Sequence, residues 1–219
     1  GVCWNPLDEI RLGTEYEVGD VQNLATLIVD PDGKGLDSHW QKTAFALLVG
    51  VILHALYEAK AEGGVATLPS VDAMLADPNR DVGELWMEMA TYGHVGGQNH
   101  HAIGSASRDM MDRPEEEAGS VLSTAKSYLA LYRDPVVARN VSRSDFRIKQ
   151  LMHDDDPVSL YIVTQPNDKA RLRPLVRVMV NMIVRLLAEK MDFENGRPVA
   201  HYKHRLLMML DEFPSLGKL

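Results

Sequence analysis

The stretch that most restricts the fold is a long apolar one, "SHWQKTAFALLVGVILHALYEAKAEGG" (38–64). Its apolar residues lie on every side of the helix that they predict, which is typical of the central buried helix of a bundle. Ser38 is suited to be its N-cap, and Gly63-Gly64 predicts its end. The longest apolar run in it, "AFALLVGVIL" (44–53), is about half of the ~20 residues that a membrane-spanning helix needs. We therefore predict a helical bundle and no transmembrane segment.

Helical signals continue through most of residues 18–139. Asp20 is predicted to cap one helix and Ser70 to cap a shorter one. Pro114 stands at a first-turn position of another, where Glu115–Glu117 would complement the positive end of the helix dipole. Several helices with short connections predict an all-α unit.

The signals change after residue 139. Val158–Val163 is a β-type run, a long helical stretch with Pro174 near its start follows, and Leu206–Leu210 is a second candidate for a buried strand. Strand, helix and strand in this order predict a βαβ unit, the building block of a parallel sheet. Val2–Trp4, before the Asn-Pro break, is interpreted as the tail of another strand.

This order predicts an α/β domain into which an all-α domain is inserted. Residues 1–17 would be the end of the first part of the α/β domain, residues 18–139 the all-α domain, and residues 140–219 the βαβ part. The chain starts without Met and stops soon after the second strand candidate, so we expect it to be an excised piece whose sheet has most of its strands elsewhere.

Composition narrows the class of protein further. The formal net charge is −8, so nucleic-acid contact would need a local basic patch or assembly with other subunits. The single Cys3 allows no internal disulfide, which fits a reducing compartment. No cleavable leader is recognisable at the start of the chain.

The acid pair Asp211-Glu212 directly follows the apolar run 206–210. In P-loop NTPases a buried strand ends in such a pair, where the Asp holds the Mg²⁺ shell and the Glu orients the attacking water. The alternative is a solvated turn after a hydrophobic strand. The phosphate loop G-x-x-x-x-G-K-[ST] is absent from the sequence, because neither Gly33-Lys34 nor Gly217-Lys218 has the required neighbours.

Several segments together resemble the TraG-type coupling proteins of conjugation and type IV secretion. They are "WNPLDEIR" (4–11), "DVQNLATLIVDP" (20–31), "HWQKTAFALLVGVILH" (39–54), "VLSTAKSYLALYRDPVVARN" (121–140), "PVSLYIVTQPNDKARLRPLVR" (157–177) and "HRLLMMLDEFPSLGKL" (204–219). The resemblance covers almost the whole chain. It implies a RecA-like P-loop NTPase fold interrupted by an all-α domain, in a protein that feeds DNA–protein substrates to a secretion channel.

The resemblance also implies cofactors, partners and a location. The whole protein would be a homo-hexameric ATPase that uses ATP and Mg²⁺, is anchored at the cytoplasmic face of the bacterial inner membrane, and contacts DNA, relaxosome proteins with their relaxase, and channel components. Asp211 and Glu212 would be its catalytic acid pair, with Mg²⁺ bound to Asp211 through water. Without the phosphate loop, this chain alone is expected to be monomeric, to hold no cofactor and not to hydrolyse ATP.

Basic residues outnumber acidic ones between Lys169 and Arg205. In a ring ATPase, Arg171, Arg173 or Arg177 could reach a neighbouring subunit's site, or could contact DNA phosphates. A solvated helix face with ordinary salt bridges is the alternative. Gln165, just past the first strand candidate, is either a γ-phosphate sensor or a plain turn residue.

Three histidines, His94, His100 and His101, lie close together in "HVGGQNHH". A metal site is one interpretation, and a polar loop or a partner surface is the other. Two hypotheses for function therefore remain. The chain belongs to an ATP-driven DNA translocase and carries its carboxylates, or the helical block is a non-catalytic module that binds transfer proteins.

Overall fold

The computed structural model describes residues 1–188, 192–194, 197–199 and 201–211. The α-helices of these residues are α1 (Glu17–Val29), α2 (His39–Glu62), α3 (Leu68–Ala76), α4 (Val82–Thr91), α5 (His101–Asp112), α6 (Glu115–Leu129), α7 (Pro135–Asn140), α8 (Gln150–His153) and α9 (Lys169–Leu187). Two 3₁₀-helices are Pro6–Glu9 and Ala130–Arg133, and two short strands are β1 (Asp192–Glu194) and β2 (Arg197–Val199).

Helix α2 is the centre of the bundle, as the sequence predicts. Helices α1, α5 and α6 pack against it, and α4 packs against α5. Ser38 caps α2 through its side chain, which accepts from the Gln41 N–H at 3.0 Å, and the Gln41 side chain bonds back to Ser38. The helix ends at Gly63, whose φ of 70° is the left-handed conformation that glycine adopts without strain.

The length and composition of α2 would also suit a membrane span. The 24-residue helix is long and apolar enough to cross a membrane, although its uninterrupted apolar run is short. In this structure, however, 61% of its most apolar window is buried inside the protein. The central helix of a bundle needs the same apolar surface, because its neighbours surround it on all sides.

Two predicted helix caps are wrong by about one turn. Helix α1 begins at Glu17, and Asp20 lies inside it, where its carboxylate accepts from Arg11 at 2.6 Å. Helix α3 is capped by Thr67, and Ser70 is the third residue of the helix, where it completes the capping box with Thr67. Asp and Ser are also suited to these first-turn positions, so residue type alone does not fix the helix start.

The first residues of the chain lie beside residues 140–145. The Trp4 N–H donates to the Asn140 carbonyl at 2.9 Å, and the Asp145 N–H donates to the Cys3 carbonyl at 2.9 Å. The Asp145 side chain in turn accepts from the Cys3 N–H at 2.7 Å. Cys3 and Trp4 are therefore paired with the last residue of α7 and with the loop after it, and Val2–Trp4 is not part of a described strand.

The predicted α/β RecA-like fold is wrong for the described residues. They form helices and one antiparallel hairpin of β1 and β2, with no parallel strand pair and no βαβ unit. Val158–Val163 and Leu206–Leu210 have no regular secondary structure and no strand partner among the described residues, and Tyr161 and Met209 are 83% and 86% exposed. A β-type sequence becomes a strand only when a neighbouring strand takes up its backbone hydrogen bonds, and no described segment does so here.

The division into residues 1–17, 18–139 and 140–219 stays a prediction. One hydrophobic cluster nevertheless runs across both boundaries, since Trp4 and Leu7 before the bundle and Ile148 and Val178 after it belong to the same core as α2. Helix α9 supplies part of this core by packing against α1.

Candidate functional site

A chain of buried and half-buried polar side chains runs between α1, α2 and the loop that joins α4 to α5. Its members are Glu17 of α1, His54 and Tyr57 of α2, and His94 and His100 of the loop. His54 has no exposed surface, and Glu17 and His94 are each 8% exposed. A polar cluster at this depth must satisfy its hydrogen bonds internally.

A tight turn brings His94 to this position. Val95 and Gln98 pair through two backbone hydrogen bonds of 3.0 and 2.9 Å, around Gly96 and Gly97 with φ of 57° and 80°. Two successive positive φ values define the type I′ turn, which glycine adopts without a Cβ clash. Asn99 then ties the loop to α4 by donating its Nδ2 to the Met89 carbonyl at 2.7 Å.

The hydrogen bonds assign the protons on the imidazoles. The His100 N–H donates to His94 Nδ1 at 3.2 Å, so the proton of neutral His94 is on Nε2. His94 Nε2 lies 2.9 Å from His54 Nδ1 and therefore donates to it. The remaining proton of neutral His54 is then on Nε2. Burial, more than the neighbouring charges, lowers the pKa of both rings, and that of His94 falls to about 4.

Glu17 is the acceptor at the other end of the chain. It accepts from the Gly13 N–H at 2.6 Å, the Tyr57 hydroxyl at 2.8 Å and His100 Nε2 at 2.9 Å. Burial alone would raise the pKa of Glu17, but these three donors together lower it below its usual value. Burial and the Glu17 carboxylate raise the pKa of Tyr57, so its hydroxyl stays a donor.

Two half-buried carboxylates stand next to His54. Glu58 is one turn further along α2, Glu88 is on α4, and Arg80 forms a salt bridge with Glu88. Burial and the nearby Glu88 raise the pKa of Glu58. Burial opposes ionisation of Glu88 too, but hydrogen bonding and charge from Arg80 lower its pKa. One ligand atom each of His54, Glu58 and Glu88 lies within 4.8 Å of the others, so these three could hold a cation.

The histidines that the sequence singled out are only partly brought together. His94 and His100 are joined by a backbone-to-ring hydrogen bond, whereas His101 is the exposed first residue of α5. Sequence reasoning missed His54. This residue directly follows a long apolar run, so the sequence alone marks it only as the end of that run and not as a functional residue. The signal that could have revealed it is the i, i+4 spacing of His54 and Glu58, which places both on one face of a helix.

Two of the predicted nucleotide residues, Gln165 and Asp211, lie outside the described helices and strands. Asp211 is exposed at the end of the stretch 201–211, and Glu212 lies outside the described residues. Gln165 is exposed, and its carbonyl accepts from the Asp168 N–H at 3.0 Å. The roles assigned to these three residues stay predictions.

The predicted arginines make contacts within the chain. Arg171 pairs with Asp134 at 2.6 Å and with Asp168 at 3.0 Å. Arg173 is 3.5 Å from Asp32. Arg177 is 2% exposed and donates Nη1 to the Asp30 carbonyl at 2.8 Å, and burial lowers its pKa. Their proposed action on a neighbouring subunit or on DNA stays a prediction.

Comparison with known protein families matches residues 1–219 to the family described as "Type IV secretory system Conjugative DNA transfer". The chain belongs to this family. The resemblance stated from the sequence segments is thereby confirmed.

Named relatives agree with the family. Two proteins of Escherichia coli called "Conjugal transfer protein TraG" are 95% and 92% identical to this chain, over 100% and 99% of its length. "Protein VirD4" of Agrobacterium fabrum is 27% identical over 99% of the chain. The matched regions are 34%, 34% and 30% of those proteins, so the chain spans about a third of the length of the curated relatives it matches.

Proposed function

We propose that this chain is part of a coupling protein of conjugation and type IV secretion, which links the relaxosome to the secretion channel and transports DNA at the expense of ATP. The observation that carries the proposal is the match of all residues 1–219 to the conjugative DNA transfer family. The high identity to two conjugal transfer proteins supports it.

The nucleotide part of the proposal concerns the whole protein. Asp211 and Glu212 are proposed as its catalytic acid pair, with Asp211 holding Mg²⁺ through water, in a homo-hexamer anchored at the cytoplasmic face of the inner membrane. The residues present do not form an ATP site on their own, because the sequence has no phosphate loop and the described part of the acid pair is one exposed carboxylate. We therefore derive no hydrolytic step from this chain.

The helical bundle is proposed to recognise transfer substrates. Helix α6 begins with Glu115 and Glu116, which are both exposed and make no ion pair with any described residue. The third acid, Glu117, is already bound by Arg113 and approached by His39 at 3.3 Å. Two free carboxylates at the helix start fit a basic surface, such as that of a relaxosome protein that also contacts DNA.

Binding without chemistry is the second candidate function for this chain. The hydrophobic cluster of the described residues favours this candidate. It contains residues from before α1 to α9, so the surface of the bundle rests on a core that lies within this chain. Both functions are compatible in the whole protein. They differ in what the 219-residue chain should do alone.

The chemical part is tested by ATP turnover and DNA transfer. In the whole protein, Glu212→Gln should abolish both, while capture of relaxosome proteins persists. The isolated 219-residue chain should turn over no ATP. If the isolated chain hydrolyses ATP and Glu212→Gln abolishes that hydrolysis, the missing half of the site does not lie in another part of the protein. That result would overturn this part of the proposal.

The binding part is tested by charge reversal on the bundle. Glu115→Lys combined with Glu116→Lys should weaken capture of purified relaxosome proteins by the 219-residue chain. Glu62→Lys combined with Glu84→Lys, at exposed acids of α2 and α4, changes the net charge by the same amount and is the matched control, which should leave capture unchanged. Equal loss in both variants would mean that net charge, and not the start of α6, controls binding.

A further inference from the structure

One buried nitrogen has no hydrogen-bond partner in the part of the chain that the structure describes. It is His54 Nε2, on a side chain with no exposed surface. The carboxylate oxygen Glu88 Oε1 is 3.8 Å away from it, which is too long for a hydrogen bond. Buried polar atoms nearly always have a partner, so an unpaired one marks a position where an ordered water or an ion can bind.

Two carboxylates converge on this nitrogen from different helices. Glu58 follows His54 by one turn of α2, and Glu88 approaches from α4, so the three ligand atoms lie within 4.8 Å of one another. Atoms that bind one metal ion at about 2.0–2.2 Å are closer together than this. Glu58 and Glu88 are only half buried, and small rotations of their side chains would close the difference.

We propose that His54 Nε2, Glu58 and Glu88 bind a divalent transition-metal cation of the Zn²⁺ type, which joins α2 to α4. In the metal-free protein Glu58 and Glu88 share a side-chain hydrogen bond, which needs a proton on one of the two carboxyl groups. That proton leaves to solvent when the cation binds, so that two carboxylates balance the double charge, and a neutral imidazole favours Zn²⁺ over Mg²⁺ or Ca²⁺. The fourth ligand is water, since the Glu88 side chain is 28% exposed and the site is open to solvent on that side.

Arg80 supports this site from outside. It forms its salt bridge with Glu88 Oε2, which leaves Oε1 of the same carboxylate facing His54. Carboxylates that bind metals are commonly held by a second partner in this way. Arg80 is therefore a positioning residue, because it orients Glu88 and does not touch the cation.

Metal binding changes the protonation of the histidine chain. Coordination needs the lone pair of His54 Nε2, so that proton leaves to solvent and the proton between the rings moves from His94 Nε2 to His54 Nδ1. His94 then takes a proton from solvent on Nδ1 and gives up the 3.2 Å hydrogen bond from the His100 N–H. The number of protons on the two rings is unchanged.

The first test is a calorimetric titration of the metal-stripped 219-residue chain with Zn²⁺. We expect one equivalent to bind, and Glu58→Gln or Glu88→Gln to weaken binding by at least the ~10–100-fold that the loss of an outer-shell partner costs. Glu62→Gln, which removes an exposed acid one turn further along α2, is the control and should keep the single site. Absence of saturable binding, or equal binding in both ligand variants, would refute the site.

The second test reads the rings directly and needs no variant. In ¹⁵N NMR spectra of the metal-free chain, the proton of His54 should be on Nε2, and one equivalent of Zn²⁺ should move it to Nδ1. A His54 ring that keeps its Nε2 proton in the presence of Zn²⁺ would rule out the proposal even if Zn²⁺ binds at other histidines.

Discussion

Gly50 lies in the contact between α2 and α5, and we predict that a single methyl group at this position destabilises the bundle. A Cβ added to Gly50 would lie 2.3 Å from the Cβ of Ala106 and 3.3 Å from Cε of Met89. The Met89 side chain can move aside, but the Ala106 methyl is fixed to the backbone of α5. The two helices would have to separate, and α5 begins beside His100 of the buried polar chain.

The expected size follows from two opposing effects. Replacing Gly by Ala inside a helix stabilises it by about 1 kcal/mol, since the unfolded chain loses backbone freedom. Inserting a methyl group into a packed core costs about 1–3 kcal/mol. Gly50→Ala should therefore lower the free energy of unfolding by up to about 2 kcal/mol. Gly119→Ala in α6, where a Cβ meets nothing within 4 Å, should raise it by about 1 kcal/mol.

Urea unfolding followed by far-UV circular dichroism measures both variants, and an unchanged m-value would show that the same surface is exposed on unfolding. The transposed variant, Gly50→Ala with Ala106→Gly, keeps one methyl group in the contact and should return close to the parent stability. The reasoning fails if Gly50→Ala stabilises the protein as much as Gly119→Ala does, or if the transposed variant is no better than the single one.

Two further predictions concern charged groups. Asp72 is buried and receives two hydrogen bonds from Arg133, at 2.7 and 2.8 Å. Asp72→Asn should therefore lower the free energy of unfolding by about 1–2 kcal/mol. The control Asp37→Asn, at an exposed site, should lower it by less than about 0.5 kcal/mol. The pKa of His94 is lowered to about 4 in the folded protein, against 6.5 in the unfolded chain. Between pH 6.5 and pH 4, therefore, the His94 ring binds a second proton only in the unfolded chain. The free energy of unfolding should thus fall from pH 6.5 towards pH 4, by about 3 kcal/mol at most, and a curve that is flat or rises on acidification would contradict the assignment.

The helical part of the fold was predictable because its signals are local. The Ser38 cap, the Gly63 end and the all-round apolar face of α2 are each decided within a few residues or one helix. Asp20 and Ser70 show the limit, since each suits a first-turn position as well as a cap.

The sheet and the histidine site depend on contacts that are distant in sequence. Val158–Val163 has β-type residues, but they form a strand only if another strand pairs with them. The sequence of this segment does not show whether such a partner is present. The candidate site joins His54 to His94 and Glu88 across 40 and 34 positions, and His54 alone looks like a polar interruption of a core helix. Only the fold places these groups together.

The pairing of Cys3 and Trp4 with Asn140 and Asp145 has a consequence for how this protein can be altered. The residues before α1 and those after α7 lie side by side there, so a graft of α1–α7 from a relative would have its two junctions at neighbouring points. Such a graft must also keep the face of α1 that packs against α9. Grafting another protein's helices between these two points, and measuring whether the hybrid chain still unfolds cooperatively, would use that proximity as a ready-made junction.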